Sequence, residues 1–243
     1  MLFSLDNDIQ DQEHTNRAKA IGLGFFLILS LGVAAFGITR AATYSSQEDT
    51  IIQDKKLPVK ESAYESPVVT KEDHARGVGE LQNVLIEYSD FQCPICAPYA
   101  RMVSEVEKEF RGKLTVVYRN FPKDTIHQNA HLAARAVQAA TEQGKFWQMH
   151  DLLYEKQSEW SVHDYPRDVI LQYAKVLLLD TKKFSEDMDA QKTEESIEKD
   201  IESGKSAGVD TVPAFFLNGK KIASPRTVEE FKETISRELK NNK

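Results

Sequence analysis

The pair Cys93 and Cys96 lies between a segment typical of a strand and a segment typical of a helix. Residues 84–88 form a short apolar run, which favours a buried strand. After the pair, apolar residues recur at helical spacing as far as Gly112, a residue type that often ends helices. Residues 114–118 form a second apolar run. This order predicts a right-handed crossover of strand, helix and strand, with the two strands parallel.

The two cysteines are the only ones in the chain, so they cannot form a framework of several structural disulfides. A cysteine attacks a disulfide only as the thiolate, and the N–H groups at a helix N-terminus stabilise that anion. We place Cys93 where the strand gives way to the helix, with Pro94 at the first helical position. Cys96 then lies on the same helix face and can close or resolve a mixed disulfide. The pattern predicts a redox-active dithiol.

Two other interpretations of the pair stay open. The first is that two small residues of a buried helix face are cysteines by chance. The second is zinc, because His127 and His131 are four residues apart and could complete a site with the cysteines. The gap from Cys96 to His127 is, however, far longer than in a zinc finger. We predict no metal, and no cofactor other than the disulfide of Cys93 and Cys96.

Three positions outside the pair also receive a predicted role. Glu87 lies six residues before Cys93, and a partly buried carboxylate near a dithiol can exchange protons with it. The alternative is an edge glutamate that points to solvent. Asp90 is interpreted as the turn residue that ends the strand. The bond between Val212 and Pro213 precedes a short apolar run, where it can be cis at low energetic cost or belong to a trans edge proline.

Residues 126–205 are helical in pattern almost throughout. Residues 214–217 and 220–223 flank Asn218 and Gly219. This dipeptide is the strongest short hairpin signal because both positions of the turn need a positive φ. We therefore predict an α/β fold with an inserted block of helices.

The N-terminal part differs in character. Residues 21–38 carry no charge, and about 18 to 20 helical residues span the hydrocarbon core of a bilayer. We predict a short tail over residues 1–20, a transmembrane anchor over 21–39, a flexible linker over 40–66 and one globular domain over 67–243. A cleaved signal peptide is the alternative, but acidic residues precede the apolar run and no convincing cleavage site follows.

Five stretches carry a resemblance to a known family. They are Asp73-His74-x-x-Gly77, Glu87-Tyr88-Ser89-Asp90-Phe91-Gln92-Cys93-Pro94-Ile95-Cys96, Asn120-Phe121-Pro122, Gln143-Gly144-Lys145-Phe146-Trp147 and Thr211-Val212-Pro213-Ala214-Phe215-Phe216. Together they resemble the DsbA-like branch of the thioredoxin superfamily from about residue 67 to the C-terminus. The resemblance implies a thioredoxin-like α/β fold with an inserted helical domain at about residues 126–205.

The resemblance also implies roles for single residues. Cys93 matches the exposed nucleophile of the family and Cys96 its resolving thiol. Glu87 matches an acidic residue in the strand below the dithiol, and Pro213 matches a cis-proline beside it. Two departures bear on oxidising power. Ile95 replaces the histidine of the strongest oxidants, and Pro98 is expected to remove a backbone hydrogen bond one turn into the helix.

The function implied is that of a protein disulfide oxidoreductase, most simply an oxidase of exported or cell-surface proteins. The substrate chain is expected to lie against Thr211 and Val212 beside the sulfurs. The implied setting is a single-pass signal-anchor protein of the cell membrane, with the catalytic domain extracytoplasmic and a membrane redox partner. A reductase or isomerase, and a non-catalytic binding or chaperone module, are the alternatives. The net charge is −7 and the basic residues form no stripe along the sequence, so we expect no nucleic-acid partner. We expect a monomer by default.

Overall fold

The computed structural model describes residues 64–77 and 83–241. The predicted tail and anchor, and the predicted linker up to residue 63, lie outside the described residues. Within the described ranges, no helix combines the length and apolar character that crossing a bilayer requires. The prediction of an anchor is therefore carried by the sequence alone.

The described residues contain a five-stranded sheet with the order β1-β3-β2-β4-β5. The strands are β1 (His74–Arg76), β2 (Val84–Ser89), β3 (Thr115–Asn120), β4 (Ala214–Leu217) and β5 (Lys220–Ile222). Strands β2 and β3 pair in parallel, as predicted, and the other neighbours pair antiparallel. The sheet therefore has its longest strands at its centre.

Helices cover both faces of the sheet. They are α1 (Cys96–Glu109), α2 (Ala130–Thr141), α3 (Phe146–Glu155), α4 (Gln157–Trp160), α5 (Pro166–Val176), α6 (Thr181–Met188), α7 (Gln191–Ser206) and α8 (Val228–Asn241). Helix α1 connects the parallel pair, whereas α2 to α7 lie between β3 and β4. The predicted thioredoxin-like α/β fold with a helical insertion is confirmed.

Every residue of β2 is buried. Leu85 belongs to the apolar cluster that includes residues of α1 and α8, whereas Ile86 and Tyr88 belong to the cluster on the other face. Alternate residues of a strand point to opposite faces, so Glu87 and Ser89 share the face of Leu85. The central position of β2 therefore brings two polar side chains into the interior below α1.

The hairpin of β4 and β5 forms at the predicted dipeptide. Asn218 has a φ of 50° and Gly219 a φ of 78°, the left-handed values that a tight two-residue turn requires. The Asn218 carboxamide also accepts a hydrogen bond from the Val84 N–H at 2.9 Å. The turn is thereby fixed to the start of β2.

Candidate active site

The dithiol lies where β2 gives way to α1. The Cys93 N–H donates to the Asp90 carbonyl at 3.1 Å, and the Cys96 N–H donates to the Cys93 carbonyl at 3.1 Å. Helix α1 begins at Cys96 rather than at Pro94, which corrects the predicted first helical position. The reason is that Pro94 and Ile95 belong to the turn that the Cys96 N–H closes. These two residues form the exposed part of the loop.

The two cysteines are free thiols with different surroundings. Cys93 is 6% exposed to solvent, whereas Cys96 is not exposed at all. The Cys96 thiol and the backbone N–H groups of Cys96 and Ile95 donate to the Cys93 sulfur. These bonds, the one from the thiol above all, lower the pKa of Cys93 to about 6. Burial raises the pKa of Cys96 far above its usual range. Cys93 is therefore the sulfur suited to attack.

Pro98 does not interrupt α1, contrary to the prediction. The helix runs unbroken from Cys96 to Glu109, and Pro98 is its third residue. The first four N–H groups of a helix have no partner within it, so a proline at this position removes no helical hydrogen bond. The expected loss of a backbone bond was wrong because the helix starts later than predicted.

Glu87 lies in the interior below the dithiol. The residue is 2% exposed in the central strand, so the alternative of a solvent-facing edge glutamate is wrong. Burial raises the pKa of Glu87 to about 7, although the Ser89 hydroxyl and the charge of Arg76 oppose the shift. Its Oε1 atom has no hydrogen-bond partner among the described residues. The carboxyl is thus poised to bind or release a proton near neutral pH.

Ser89 connects this carboxyl with the buried thiol. Its side chain interacts with both Glu87 and Cys96. The Tyr154 hydroxyl donates to Ser89 Oγ at 2.9 Å, and the Tyr118 hydroxyl lies 3.1 Å from that of Tyr154. Sequence reasoning missed Ser89 and both tyrosines. Only the alternation along β2 could have indicated that Ser89 shares a face with Glu87.

Asp90 is the turn residue that was predicted, and it has a further role. Its carbonyl closes the first turn, and its Oδ1 accepts the Gln92 N–H at 2.7 Å. Its Oδ2 accepts the Lys123 N–H at 2.9 Å and lies 2.8 Å from His127 Nδ1. The carboxylate therefore joins the dithiol loop to the loop that follows β3.

The two histidines of the zinc alternative are engaged elsewhere. His127 pairs with Asp90. His131 lies on α2, with Nε2 2.8 Å from Glu194 and Nδ1 3.2 Å from Asp124. Among residues 64–77 and 83–241, no group of three or more histidine, cysteine, aspartate or glutamate side chains is arranged to hold a metal ion. The structure does not bring the two histidines together with the cysteines.

The inserted helices hold the dithiol loop from outside the sheet. Gln157 Nε2 donates to the carbonyls of Phe91 and Cys93, both at 2.8 Å. Gln92 Nε2 donates to the Ser161 carbonyl at 2.7 Å. The partners are between 64 and 69 positions apart in the chain. No local pattern marks Gln157, so sequence reasoning missed this residue.

The segment before β4 contains the predicted cis bond. The peptide bond between Val212 and Pro213 is cis, which confirms that prediction. Because Tyr88 pairs with Ala214, Pro213 follows in register beside the end of β2. Val212 packs against the apolar cluster that contains both cysteines. Thr211 is exposed, and its N–H is bonded to the side chain of Asp210.

A dithiol at the start of a helix, beside a cis-proline that precedes an antiparallel strand, defines a thioredoxin-like protein. The family model described as thioredoxin matches residues 69–237. The chain therefore belongs to the thioredoxin family.

The curated relatives that match this chain are longer proteins. The chain is 34% identical over 169 residues to the Na(+)/H(+) antiporter NhaA 3 of Salinispora tropica, covering 70% of this chain and 25% of that protein. It is 30% identical over 228 residues to the Na(+)/H(+) antiporter NhaA 1 of Mycolicibacterium gilvum, covering 92% of this chain and 34% of that protein. The chain thus spans about a quarter to a third of the length of these relatives.

Solved structures share the fold. Oxidised BdbD from Bacillus subtilis has a TM-score of 0.62 at 22% identity, over 73% of this chain and 98% of that one. The α-DsbA1 protein of Wolbachia pipientis has a TM-score of 0.63 at 16% identity, over 72% of this chain and 94% of that one. MdbA of Corynebacterium diphtheriae, a thiol-disulfide oxidoreductase, has a TM-score of 0.57 at 20% identity, over 73% of this chain and 96% of that one. The predicted likeness to the DsbA-like branch is confirmed at the level of the fold.

Proposed function

We propose that this protein is a thiol–disulfide oxidoreductase that oxidises thiols of exported or cell-surface proteins through Cys93 and Cys96. The observation that carries the proposal is the difference between the two sulfurs. Cys93 is 6% exposed with its pKa lowered to about 6, whereas Cys96 is fully buried with its pKa raised. One sulfur is thereby suited to meet a substrate and the other to close the disulfide.

The reaction runs through a mixed disulfide. A substrate thiolate attacks the Cys93 sulfur of the oxidised protein, a bond forms between these atoms, and the bond to Cys96 breaks. A second substrate thiolate then attacks the substrate sulfur of the mixed disulfide, and Cys93 leaves as a thiolate. The substrate loses two electrons, and the protein becomes a dithiol. Substrate chain is proposed to lie against Thr211 and Val212 during these steps.

The direction of electron flow follows from the stability of the thiolate. The bond from the Cys96 thiol exists only in the reduced protein, and the two backbone N–H groups bond a thiolate more strongly than a disulfide sulfur, so together they stabilise the reduced protein relative to the disulfide. A protein whose reduced form is stabilised gives its disulfide away readily. Donors from Ile95 and Cys96 therefore favour an oxidase over a reductase or isomerase.

The cellular setting is part of the proposal. Residues 21–39 are proposed to anchor the protein in the cell membrane, with the catalytic domain on the extracytoplasmic side. The uncharged run of residues 21–38 supports the anchor. A membrane redox partner is proposed to restore the disulfide, because each cycle leaves the protein reduced.

The test is the reduction potential of the full chain, purified in detergent and equilibrated with glutathione buffers. Free thiols are counted by alkylation and mass spectrometry, and Cys93→Ala serves as the control without a disulfide. We expect a potential well above the value of about −220 to −260 mV that is typical of the cytosolic glutathione pool. A potential at or below that range would instead identify a reductase.

A companion experiment separates exchange from mere binding. The Cys96→Ala variant cannot resolve its mixed disulfides, so these should accumulate on Cys93 in cells and disappear on reduction. The variant that lacks both cysteines is the matched control. If that control retains the cellular function, the protein is a binding or chaperone module and the exchange mechanism is wrong.

A further inference from the structure

We propose that the hydroxyl of Ser89 carries a proton between the buried thiol of Cys96 and the carboxyl of Glu87 during disulfide exchange. This inference rests on the proposed function and assigns a part in it to a residue of β2. The need for a carrier arises from burial. Cys96 is inaccessible to solvent, and Glu87 is 2% exposed, so bulk water is not at hand when Cys96 gains or loses a proton.

The position of Ser89 follows from the strand. Glu87 and Ser89 are two residues apart in β2 and point to the same face, towards the start of α1. Ser89 is 1% exposed and interacts with the Glu87 carboxyl on one side and with the Cys96 sulfur on the other. The hydroxyl therefore lies beside both groups.

The neighbouring tyrosines fix which hydrogen bonds Ser89 can make. A serine hydroxyl has one donor and two acceptor positions. Tyr154 donates its only hydroxyl proton to Ser89 Oγ, so the Tyr118 hydroxyl must donate to Tyr154. Ser89 then keeps one donor and one acceptor for Glu87 and Cys96. A proton carrier needs this combination, since it must receive one proton while it gives another.

Proton transfer completes the step in which Cys96 leaves. When a substrate thiolate attacks Cys93, the electron pair of the broken disulfide passes to the Cys96 sulfur. Protonated Glu87 gives its proton to Ser89 Oγ while the hydroxyl proton of Ser89 passes to that sulfur. Reoxidation reverses the transfer: Cys96 loses its proton through Ser89 to the Glu87 carboxylate and attacks the mixed disulfide on Cys93. The second substrate step needs no carrier, because Cys93 leaves as a stable thiolate.

The experiment measures the closing step on the full chain in detergent. Reduced protein is mixed with oxidised glutathione, and acid quenching with alkylation follows the mixed disulfide on Cys93 and its conversion to the internal disulfide. We expect Ser89→Ala to slow the closing step at least about ten-fold. General acid–base catalysis usually contributes about 100-fold or more, so this threshold is a cautious one. The rate at which Cys93 first attacks glutathione should stay within about two-fold of the wild-type rate. Ser89→Thr, which keeps the hydroxyl, should restore closing.

A matched control removes a comparable hydroxyl from the other face of the sheet. Ser203 Oγ lies 2.7 Å from the Tyr88 hydroxyl and accepts from Arg119 at 2.6 Å, away from the cysteines. Ser203→Ala should therefore close its disulfide at the wild-type rate. Slow closing in this control as well would mean that the loss of a buried hydroxyl acts through the fold, and would overturn the assignment.

A double-mutant cycle with Glu87→Gln tests whether serine acts through the carboxyl. The effects of Ser89→Ala and Glu87→Gln on the closing rate should not add, because either change breaks the same transfer. Additive effects, or a Ser89→Ala variant that closes as fast as wild type, overturn the proposal. If Ser89→Ala does not fold, Tyr154→Phe takes its place in the cycle, since it removes the donor that orients Ser89.

The two proposals fail in different ways. If the wild-type protein forms no mixed disulfide with glutathione, the proposed function fails before Ser89 is at issue. If the wild-type protein completes the cycle and the variants behave like it, only the role of Ser89 is lost.

Discussion

Glu87 is a carboxyl group at the centre of a sheet, with no hydrogen bond to its Oε1 atom among the described residues. Burial raises its pKa from 4.5 to about 7, so the folded protein binds this proton more tightly than the unfolded chain does. The folded state therefore loses stability as the pH rises from about 4.5 to about 7. At higher pH the full cost of burying the charge remains.

This shift predicts a pH-dependent gain from removing the charge. A difference of about 2.5 pKa units corresponds to about 3 kcal/mol. Relative to the wild type, Glu87→Gln should therefore gain about 3 kcal/mol in the free energy of unfolding between pH 4.5 and pH 8. The measurement is urea unfolding of the reduced protein at both pH values, followed by tryptophan fluorescence. An advantage of Glu87→Gln that does not change with pH would show that this carboxyl does not titrate in the range given.

The depth of Glu87 could be predicted only in part. Its place in an apolar run indicated a strand, but the run alone did not distinguish an edge from the centre of a sheet. That distinction depends on β3 and β4, which pair with Glu87 through Tyr118 and Phe215. Phe215 is 128 positions further along the chain (215 − 87), so no local pattern records the pairing.

At the scale of secondary structure elements, α7 lies unusually close to the sheet at Gly204. A Cβ atom there would lie 2.6 Å from Phe121 Cε2 and 3.1 Å from Tyr88 Cδ1. Both rings are buried, so neither moves freely. The missing side chain of Gly204 is therefore what allows the helix to pack against β2 and the end of β3.

Gly204→Ala brings two effects into opposition. Alanine in place of glycine inside a helix stabilises by about 1 kcal/mol, whereas overpacking a core costs about 1–3 kcal/mol. We expect the steric effect to prevail and the free energy of unfolding to fall by about 1 kcal/mol. Urea unfolding measures it, with the exposed neighbour Lys205→Ala as a control that should change by less than about 0.5 kcal/mol. If Gly204→Ala were as stable as the wild type, the rings of Phe121 and Tyr88 would have to shift at little energetic cost, contrary to this expectation.

Elements were more predictable than their contacts. The helix after the cysteines, the parallel pair and the Asn218-Gly219 turn follow from periodicity and turn chemistry, which act over a few residues. The first residue of α1 did not follow, because the turn from Cys93 to Cys96 uses the same residue types as a helix start. The hydrogen bonds from Gln157 to the dithiol loop join distant segments of the chain, and the sequence alone does not show such contacts.

At the scale of the whole molecule, one buried guanidinium joins four parts of the chain. Arg119 on β3 makes two hydrogen bonds to Asp73, at 2.7 and 2.9 Å. It also donates to the Val68 carbonyl, the Tyr88 hydroxyl and Ser203 Oγ. The side chains of Arg119 and Asp73 are each 5% exposed. The segment before β1 is thereby fastened to two strands and to α7.

Removing the carboxylate leaves a buried cation without its counter-charge. Asp73→Ala should therefore lower the free energy of unfolding by about 3–5 kcal/mol. The control is Glu72→Ala, which breaks an exposed pair with Lys199 and should cost at most about 1 kcal/mol. Thermal and urea unfolding of the three proteins measure both effects. Equal losses in the two variants would contradict the role given to the buried pair.

The two outer strands of the sheet are short. In the described residues they are β1 (His74–Arg76) and β5 (Lys220–Ile222), three residues each. Two of the three residues of β5 are lysines, and Trp147 Nε1 donates to the Ala75 carbonyl of β1. Short, charged or covered edges offer little template for adding another strand. A protein proposed to meet unfolded chains in quantity is thus protected against aggregating with its own substrates through its sheet.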